Sequence, residues 1–211
     1  MALPPLKLWF NWRLEGLENV PTEGPALVAC NHISYLDPLA HAYLLTVRGR
    51  RPRFLAKSEL FENVLLRMAL EGCRQIPVER GTGDPAPVRA ALVALRMGEC
   101  VAVFPEGTVT RNPDFSPMEG KTGIARLAIA AQVPVIPLAI WGSQHVWQKD
   151  GRRSLKFARP IWLRAGAPID LSLHGDDPQD PRALEAAVGD VMDELTHLVA
   201  DLRARYPKRW A

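Results

Sequence analysis

The sequence predicts a single α/β domain with a mostly parallel, twisted central sheet flanked by helices. Three observations carry this. Apolar runs of strand length alternate with helical stretches, the pattern of parallel strands joined by crossover helices. The last helical stretch bears one continuous apolar stripe. The length, 211 residues, suits one substantial core, and no internal repeat or low-complexity linker divides it.

The elements follow in order. Residues 1–23 carry Leu6, Leu8, Trp9, Phe10, Trp12 and Leu14, with Lys7 and Arg13 among them. Rings and cations on a short amphipathic helix suit a bilayer interface, so this segment is expected to associate with a membrane. The alternative is a helix that caps the core with its aromatic face. The α/β core is placed at residues 24–165. Strands are expected at Ala26–Cys30, Arg53–Ala56, Cys73–Pro77, Cys100–Phe104, Val133–Ile140 and Ile161–Arg164. Helices are expected at Tyr35–Thr46, Leu60–Leu70, Pro85–Met97 and Lys121–Ala131. The final helix, within residues 180–206, spaces Leu184, Val188, Val191, Leu195, Leu198 and Leu202 by threes and fours, which makes one buried face. Pro181 sits in its first turn, where a missing N–H costs little.

Composition excludes several classes. Hydrophobic content of 47% with 23% charged residues is that of a globular protein. A net charge of +3 is too small to imply nucleic acid, and no nucleic-acid partner is expected. The basic residues cluster at Arg48, Arg50, Arg51 and Arg53, and again at Arg152, Arg153, Lys156 and Arg159. Each cluster reads either as a solvated face or as a surface for anionic lipid, CoA or acyl carrier protein. Cys30, Cys73 and Cys100 form no C-x-x-C pair, so no zinc site is expected, and their apolar surroundings suit buried thiols in a reducing cytoplasm. Met1-Ala2-Leu3-Pro4-Pro5 does not read as a secretory signal. The longest apolar stretch, Ile124 to Trp141, is interrupted by Arg126, Gln132, Pro134 and Pro137. It reads as a helix ending near Gln132 followed by a strand, not as a transmembrane span.

The chemistry lies in two blocks. The first is Asn31-His32-Ile33-Ser34-Tyr35-Leu36-Asp37, which follows an apolar strand and precedes a helix. Ligands gather at such strand ends in open α/β sheets. Imidazole, with a reference pKa of about 6.5, accepts protons at neutral pH. A carboxylate on the far ring nitrogen fixes its tautomer and stabilises the imidazolium. Across a strand-to-helix turn Asp37 can return to His32. No Ser sits in a G-x-S-x-G elbow and no Cys lies in a nucleophile's setting, so the substrate is expected to supply the nucleophile. The second block, Phe104-Pro105-Glu106-Gly107-Thr108-Val109-Thr110-Arg111, closes another strand. Gly107 permits close backbone approach to a ligand, and Arg111 suits bidentate phosphate binding.

NHxSxxD followed by FPEGT resembles the paired motifs of the glycerolipid acyltransferase family, whose bacterial members acylate lysophosphatidic acid. Gly72-Cys73-Arg74-Gln75-Ile76-Pro77-Val78-Glu79-Arg80-Gly81 and Val133-Pro134-Val135-Ile136-Pro137 resemble two further blocks of that family, in the same order. The resemblance runs from about Gly24 to Gly142. It implies that His32 and Asp37 are catalytic, with Asn31 and Ser34 supporting the motif. It implies that Glu106, Gly107, Thr108, Arg111 and Arg80 hold the acceptor and its phosphate. Lys57 and Lys121 are weaker candidates for the same ring of positive charge. The apolar fourth block is expected to pack, or to wall an acyl tunnel.

One departure stands out. Many members read FPEGTRS, whereas this chain has Val109 in place of the Arg and Thr110 in place of the Ser. Glu119-Gly120-Lys121-Thr122-Gly123 superficially resembles a P-loop, but Phe115 stands where its first Gly belongs, so nucleotide binding is set aside. His145 is read as structural, with a place in the site left open. His41, His174 and His197 are read as structural or surface residues.

The resemblance implies an enzyme of phospholipid biosynthesis. It would transfer a fatty acyl chain from acyl-CoA or acyl carrier protein to lysophosphatidic acid, without an acyl-enzyme and with no metal or redox cofactor. A cytoplasmic protein bound peripherally to the inner face of the plasma membrane is expected. Three alternatives stay open at this point: an acyltransferase for another acceptor (glycerol 3-phosphate, another lysophospholipid or a glycolipid), a non-catalytic lipid-binding protein, and a thioesterase.

Overall fold

The computed structural model describes residues 7–79 and 85–210. The strands are β1 (Asn11–Glu15), β2 (Ala26–Cys30), β3 (Pro52–Lys57), β4 (Ile76–Val78), β5 (Cys100–Val103), β6 (Val135–Trp141) and β7 (Pro160–Ala165). The helices are α1 (Asp37–Val47), α2 (Val64–Gly72), α3 (Ala86–Arg96), α4 (Gly123–Ala131) and α5 (Pro181–Arg205). The strands form one seven-stranded sheet in the order β1-β7-β6-β2-β5-β3-β4. All pairings are parallel except β6 with β7.

Alternation along the central strands divides the core into two layers. Val28, Cys30 and Ala102 pack with Ala40, Leu44 and Leu45 of α1 on one face. Leu27, Ala29, Val101 and Val103 pack with Leu95, Leu127 and Leu195 of α3, α4 and α5 on the other. The apolar stripe of α5 is buried along its whole length, from Leu184 to Leu202. Val135 and Ile136 of the fourth block are core residues of β6, buried in the sheet. Helix α4 stops where Gln132 turns into the left-handed conformation, φ 53°, which frees the chain to enter β6.

The topology decides where function can reside. Strands β2, β3, β4, β5 and β6 run one way, whereas β1 and β7 run the other. The carboxyl ends of the first five and the starts of β1 and β7 therefore share one rim of the sheet. Both chemical blocks emerge there, directly after β2 and β5.

Several expectations need correction. The N-terminal stretch is not an amphipathic helix over Trp12 and Leu14: Asn11–Glu15 is a strand, held parallel to β7 from Asn11↔Pro160 to Glu15↔Arg164. Phe10 is buried, and Trp12 packs against the core and the ring of Tyr43. Leu6 lies outside the described residues. Cys30 and Cys100 are buried as expected, but Cys73 is exposed. In the Arg48–Arg53 run, the guanidinium groups of Arg48, Arg50 and Arg53 are engaged within the fold. The run precedes and begins β3, at the rim opposite the motifs. There Arg48 donates to the Val20 carbonyl, and buried Arg50 donates to the carbonyls of Pro21, Gly24 and Gly98. Arg53 pairs with Glu99 at 2.7 Å.

Candidate active site

The turn between β2 and α1 is built around one carboxylate. Asp37 is fully buried and is the first residue of α1. Its Oδ2 accepts the backbone N–H of Ile33 at 2.6 Å and of Ser34 at 2.7 Å, which folds the chain back on itself. The same oxygen lies 3.0 Å from His32 Nδ1. Its other oxygen, Oδ1, accepts the hydroxyl of Ser143 at 2.5 Å. Because the carboxylate can only accept, His32 carries its proton on Nδ1 and leaves Nε2 as a lone pair. Among the described residues nothing bonds to Nε2. The ring stacks on Phe104 at 4.3 Å between centroids, and Phe104 stacks in turn on Phe54.

The supporting residues have definite tasks. Asn31 exchanges two hydrogen bonds with the backbone of Ile140, donating to its carbonyl and accepting its N–H, so the end of β2 is tied to β6. The Ser34 hydroxyl donates to the Trp147 carbonyl and accepts from Leu36 N–H. His41, one helical turn past Asp37, is fully buried. Its Nδ1 lies 2.9 Å from the Asp37 carbonyl and its Nε2 lies 3.2 Å from that of Leu138. Burial lowers its pKa to about 4, the nearby Asp37 charge opposing. His41 is therefore a neutral structural ring, in keeping with the sequence reading.

The second block clamps the first. The N–H of His32 donates to Glu106 Oε1 at 3.0 Å, and the N–H of Met118 donates to Oε2 at 3.0 Å. The Thr110 N–H donates to the His32 carbonyl at 2.7 Å. The resemblance gives Glu106 the task of orienting the attacking glycerol or its site. Both of its oxygens accept backbone N–H groups, and one of these bonds fixes the backbone of His32. Desolvation raises the Glu106 pKa, and the two N–H bonds hold it back.

The loop after Gly107 shapes a cavity of about 770 Å³, lined by Glu106, Gly107, Thr108, Arg111, Met118 and Lys121, with neighbours. Gly107 takes φ 71°, a left-handed conformation that favours glycine, and a Cβ there would crowd the end of the Lys121 side chain at 3.1 Å. Neither the Arg111 guanidinium nor the Lys121 ammonium has a hydrogen-bonding or ionic partner among the described residues. The cavity thus presents two cations without a direct ionic contact, together with the carboxylates of Glu106 and Glu119, beside the segment that grips His32; Arg111 and Lys121 are the groups there that can meet an anion. His32 itself is not among the lining residues; it adjoins the cavity through Glu106.

Of the remaining expected residues, Lys57 ends β3 on the same rim, but its ammonium is paired with Glu59 at 2.7 Å and is not brought to the cavity. Arg80 lies outside the described residues. His145 is half-buried and stacked on Tyr206, and burial lowers its pKa. Burial raises the thiol pKa of Cys100 to about 11 and that of Cys30 well above the ordinary value, so neither is a thiolate nucleophile. Ser143 is the participant that the sequence did not reveal.

Comparison with known proteins bears on the same residues. The Acyltransferase family profile matches residues 11–141, which contain both blocks. Over 146 residues the chain is 27% identical to the 1-acyl-sn-glycerol-3-phosphate acyltransferase of Bacillus subtilis (strain 168), covering 68% of this chain and 70% of that one. It is 34% identical over 179 residues to the 1-acyl-sn-glycerol-3-phosphate acyltransferase alpha of Mus musculus, covering 83% of this chain and 60% of the mouse protein. The crystal structure of the 1-acyl-sn-glycerophosphate (LPA) acyltransferase PlsC from Thermotoga maritima matches 95% of this chain and 76% of its own, with a TM-score of 0.68 and 26% identity.

Proposed function

We propose, on the premise that the chain belongs to the acyltransferase family, that it moves a fatty acyl group from a thioester donor to the free hydroxyl of lysophosphatidic acid, giving phosphatidic acid. The observation that carries this reading is the His32–Asp37 pair: a ring whose Nδ1 faces a buried carboxylate and whose Nε2 has no partner among the described residues, beside a cavity to which Arg111 and Lys121 contribute.

The steps follow from that geometry. The acceptor phosphate sits against Arg111 and Lys121, where each charge-assisted contact is worth about 1.5–3 kcal/mol. His32 Nε2 removes the hydroxyl proton as the oxygen attacks the thioester carbonyl carbon. Asp37 stabilises the imidazolium that forms. The tetrahedral oxyanion collapses, the C–S bond breaks, and the leaving sulfur takes the proton back from His32. Acid–base transfer of this kind contributes about 10²–10⁴ in rate. No protein acyl ester is formed, so acyl-CoA or acyl carrier protein acts as substrate and not as cofactor. The lipid acceptor makes peripheral attachment to the inner face of the plasma membrane the natural setting. No helix among the described residues is long and apolar enough to cross a membrane.

A second acceptor is favoured by one observation. Val109 stands where the resembling motif carries an Arg, so lysophospholipids with less headgroup charge are the second candidates for the same cavity. Mass spectrometry of the products from a panel of acceptors and acyl thioesters tests both. Acylated product formed only with lysophosphatidic acid, as phosphatidic acid, supports the first reading. Thiol release without any acceptor would mark a thioesterase and overturn both.

A further inference from the structure

We infer that the carboxyl rim carries a composite docking surface for an anionic lipid bilayer, made by residues 7–9 and 152–157. It rests on the proposed lipid acceptor and adds where the membrane lies.

The two segments are far apart in sequence but adjacent in space, because β1 and β7 start side by side at Asn11↔Pro160. Four large apolar side chains stand out into solvent there: Leu8 (79% exposed), Trp9 (45%), Leu155 (62%) and Phe157 (66%). They are organised. The Trp9 ring meets Phe157 edge-on at 5.7 Å, and its Nε1 donates to the Leu155 carbonyl at 2.9 Å. The Ala158 N–H donates to the Trp9 carbonyl. These contacts satisfy the polar atoms of the ring while leaving apolar surface outward, as at a bilayer interface.

The surrounding charge complements an anionic surface. Lys7, Arg152, Arg153 and Lys156 are exposed on the same two segments. The acidic side chain among them, Asp150, is paired with Arg152 at 2.6 Å. Arg153 lies over Trp147 at 4.1 Å, and Trp147 meets Tyr35 at 5.7 Å. Tyr35 is an exposed residue of the catalytic turn itself, and the Ser34 hydroxyl holds the Trp147 carbonyl. The surface is thus continuous with the rim of the active site. A bilayer seated on it lies next to the point where a lipid acceptor must enter. Exposed rings together with cations favour a bilayer over a purely acidic protein surface.

The test uses the full chain and sedimentation with vesicles of phosphatidylcholine alone, or mixed equally with phosphatidylglycerol. The wild type binds the mixed vesicles more strongly, and salt weakens the difference. The pair Arg153→Gln and Lys156→Gln lowers binding to mixed vesicles by about tenfold or more, at about fivefold per cation, and leaves phosphatidylcholine binding little changed. The pair Leu155→Ser and Phe157→Ser lowers binding to both compositions by about tenfold or more. Both pairs keep wild-type turnover on detergent-dispersed acceptor and lose it on vesicles. Variants that sediment like the wild type overturn the proposal. So does a change from dimer to monomer with vesicle binding unaltered, or retention by immobilised acyl carrier protein in place of vesicles. If the wild type binds vesicles through these residues but transfers no acyl group to any acceptor, the docking surface stands and the proposed reaction fails.

Discussion

Asp37→Asn isolates the charge of the buried carboxylate from its geometry. Oδ2 faces three donors, the N–H groups of Ile33 and Ser34 and His32 Nδ1, so the amide oxygen takes that place. The amide NH2 then faces the Ser143 hydroxyl, which can rotate from donor to acceptor. The turn and the His32 tautomer both survive. What is lost is the attraction between a carboxylate and an imidazolium, a cation formed only as the acceptor hydroxyl is deprotonated. At a charge separation of about 4 Å and an effective dielectric near 20, that attraction is about 4 kcal/mol. This corresponds to roughly three decades in rate, felt by the transition state and not by the resting enzyme. The assay is thiol release from acyl-CoA with lysophosphatidic acid varied. The expected result is a thousandfold-scale (about 10³) fall in kcat with acceptor KM little changed. Near-normal kcat, or a raised KM at unchanged kcat, refutes the assigned role.

Three further outcomes follow from the same structure. Ser143→Ala leaves a buried carboxylate oxygen without its donor and should cost about 1–3 kcal/mol of stability, read from denaturant midpoints, whereas Ser143→Thr should restore most of it. Arg111→Gln should raise the acceptor KM about 10- to 100-fold with little change in kcat, and an unchanged KM removes Arg111 from the phosphate site. His41 ties stability to pH. Its pKa falls from 6.5 in the unfolded chain to about 4 in the fold, so the unfolded chain binds the proton more readily between these values. Stability from this group is present above pH 6.5 and is lost as pH falls toward and through 4, by about 3 kcal/mol. Denaturant midpoints across that range should flatten in His41→Gln, and an identical pH profile in the variant contradicts the assignment.

The sheet was legible because its central strands are short apolar runs bounded by turn residues; β2 was read with its observed bounds. Strand β1 was not. Its five residues alternate only weakly, and its partner β7 lies at the other end of the chain. Rings mixed with cations there suggested an interfacial helix, but the exposed rings are Trp9, two residues before the strand, and Phe157 of a distant loop. His32 and Asp37 were legible because their contact spans a single turn. Ser143 was not, since 106 residues separate it from the carboxylate that it bonds. Glu106 was recognised from its motif, but its bonds to the backbone N–H groups of His32 and Met118 were not, because a motif does not reveal whether a carboxylate faces a ligand or the backbone. The two arginine-rich clusters looked alike as sequence. Only strand direction assigned one to the rim opposite the motifs and the other beside the active-site turn.

The most direct measurement is a single-turnover reaction of His32→Ala with lysophosphatidic acid and acyl-CoA, the phosphatidic acid formed being counted by mass spectrometry. Loss of the imidazole base should slow acyl transfer by about 10²–10⁴ while the variant keeps its fold and its affinity for the acceptor. Transfer at the wild-type rate, or an acyl group trapped covalently on the protein, would contradict the account.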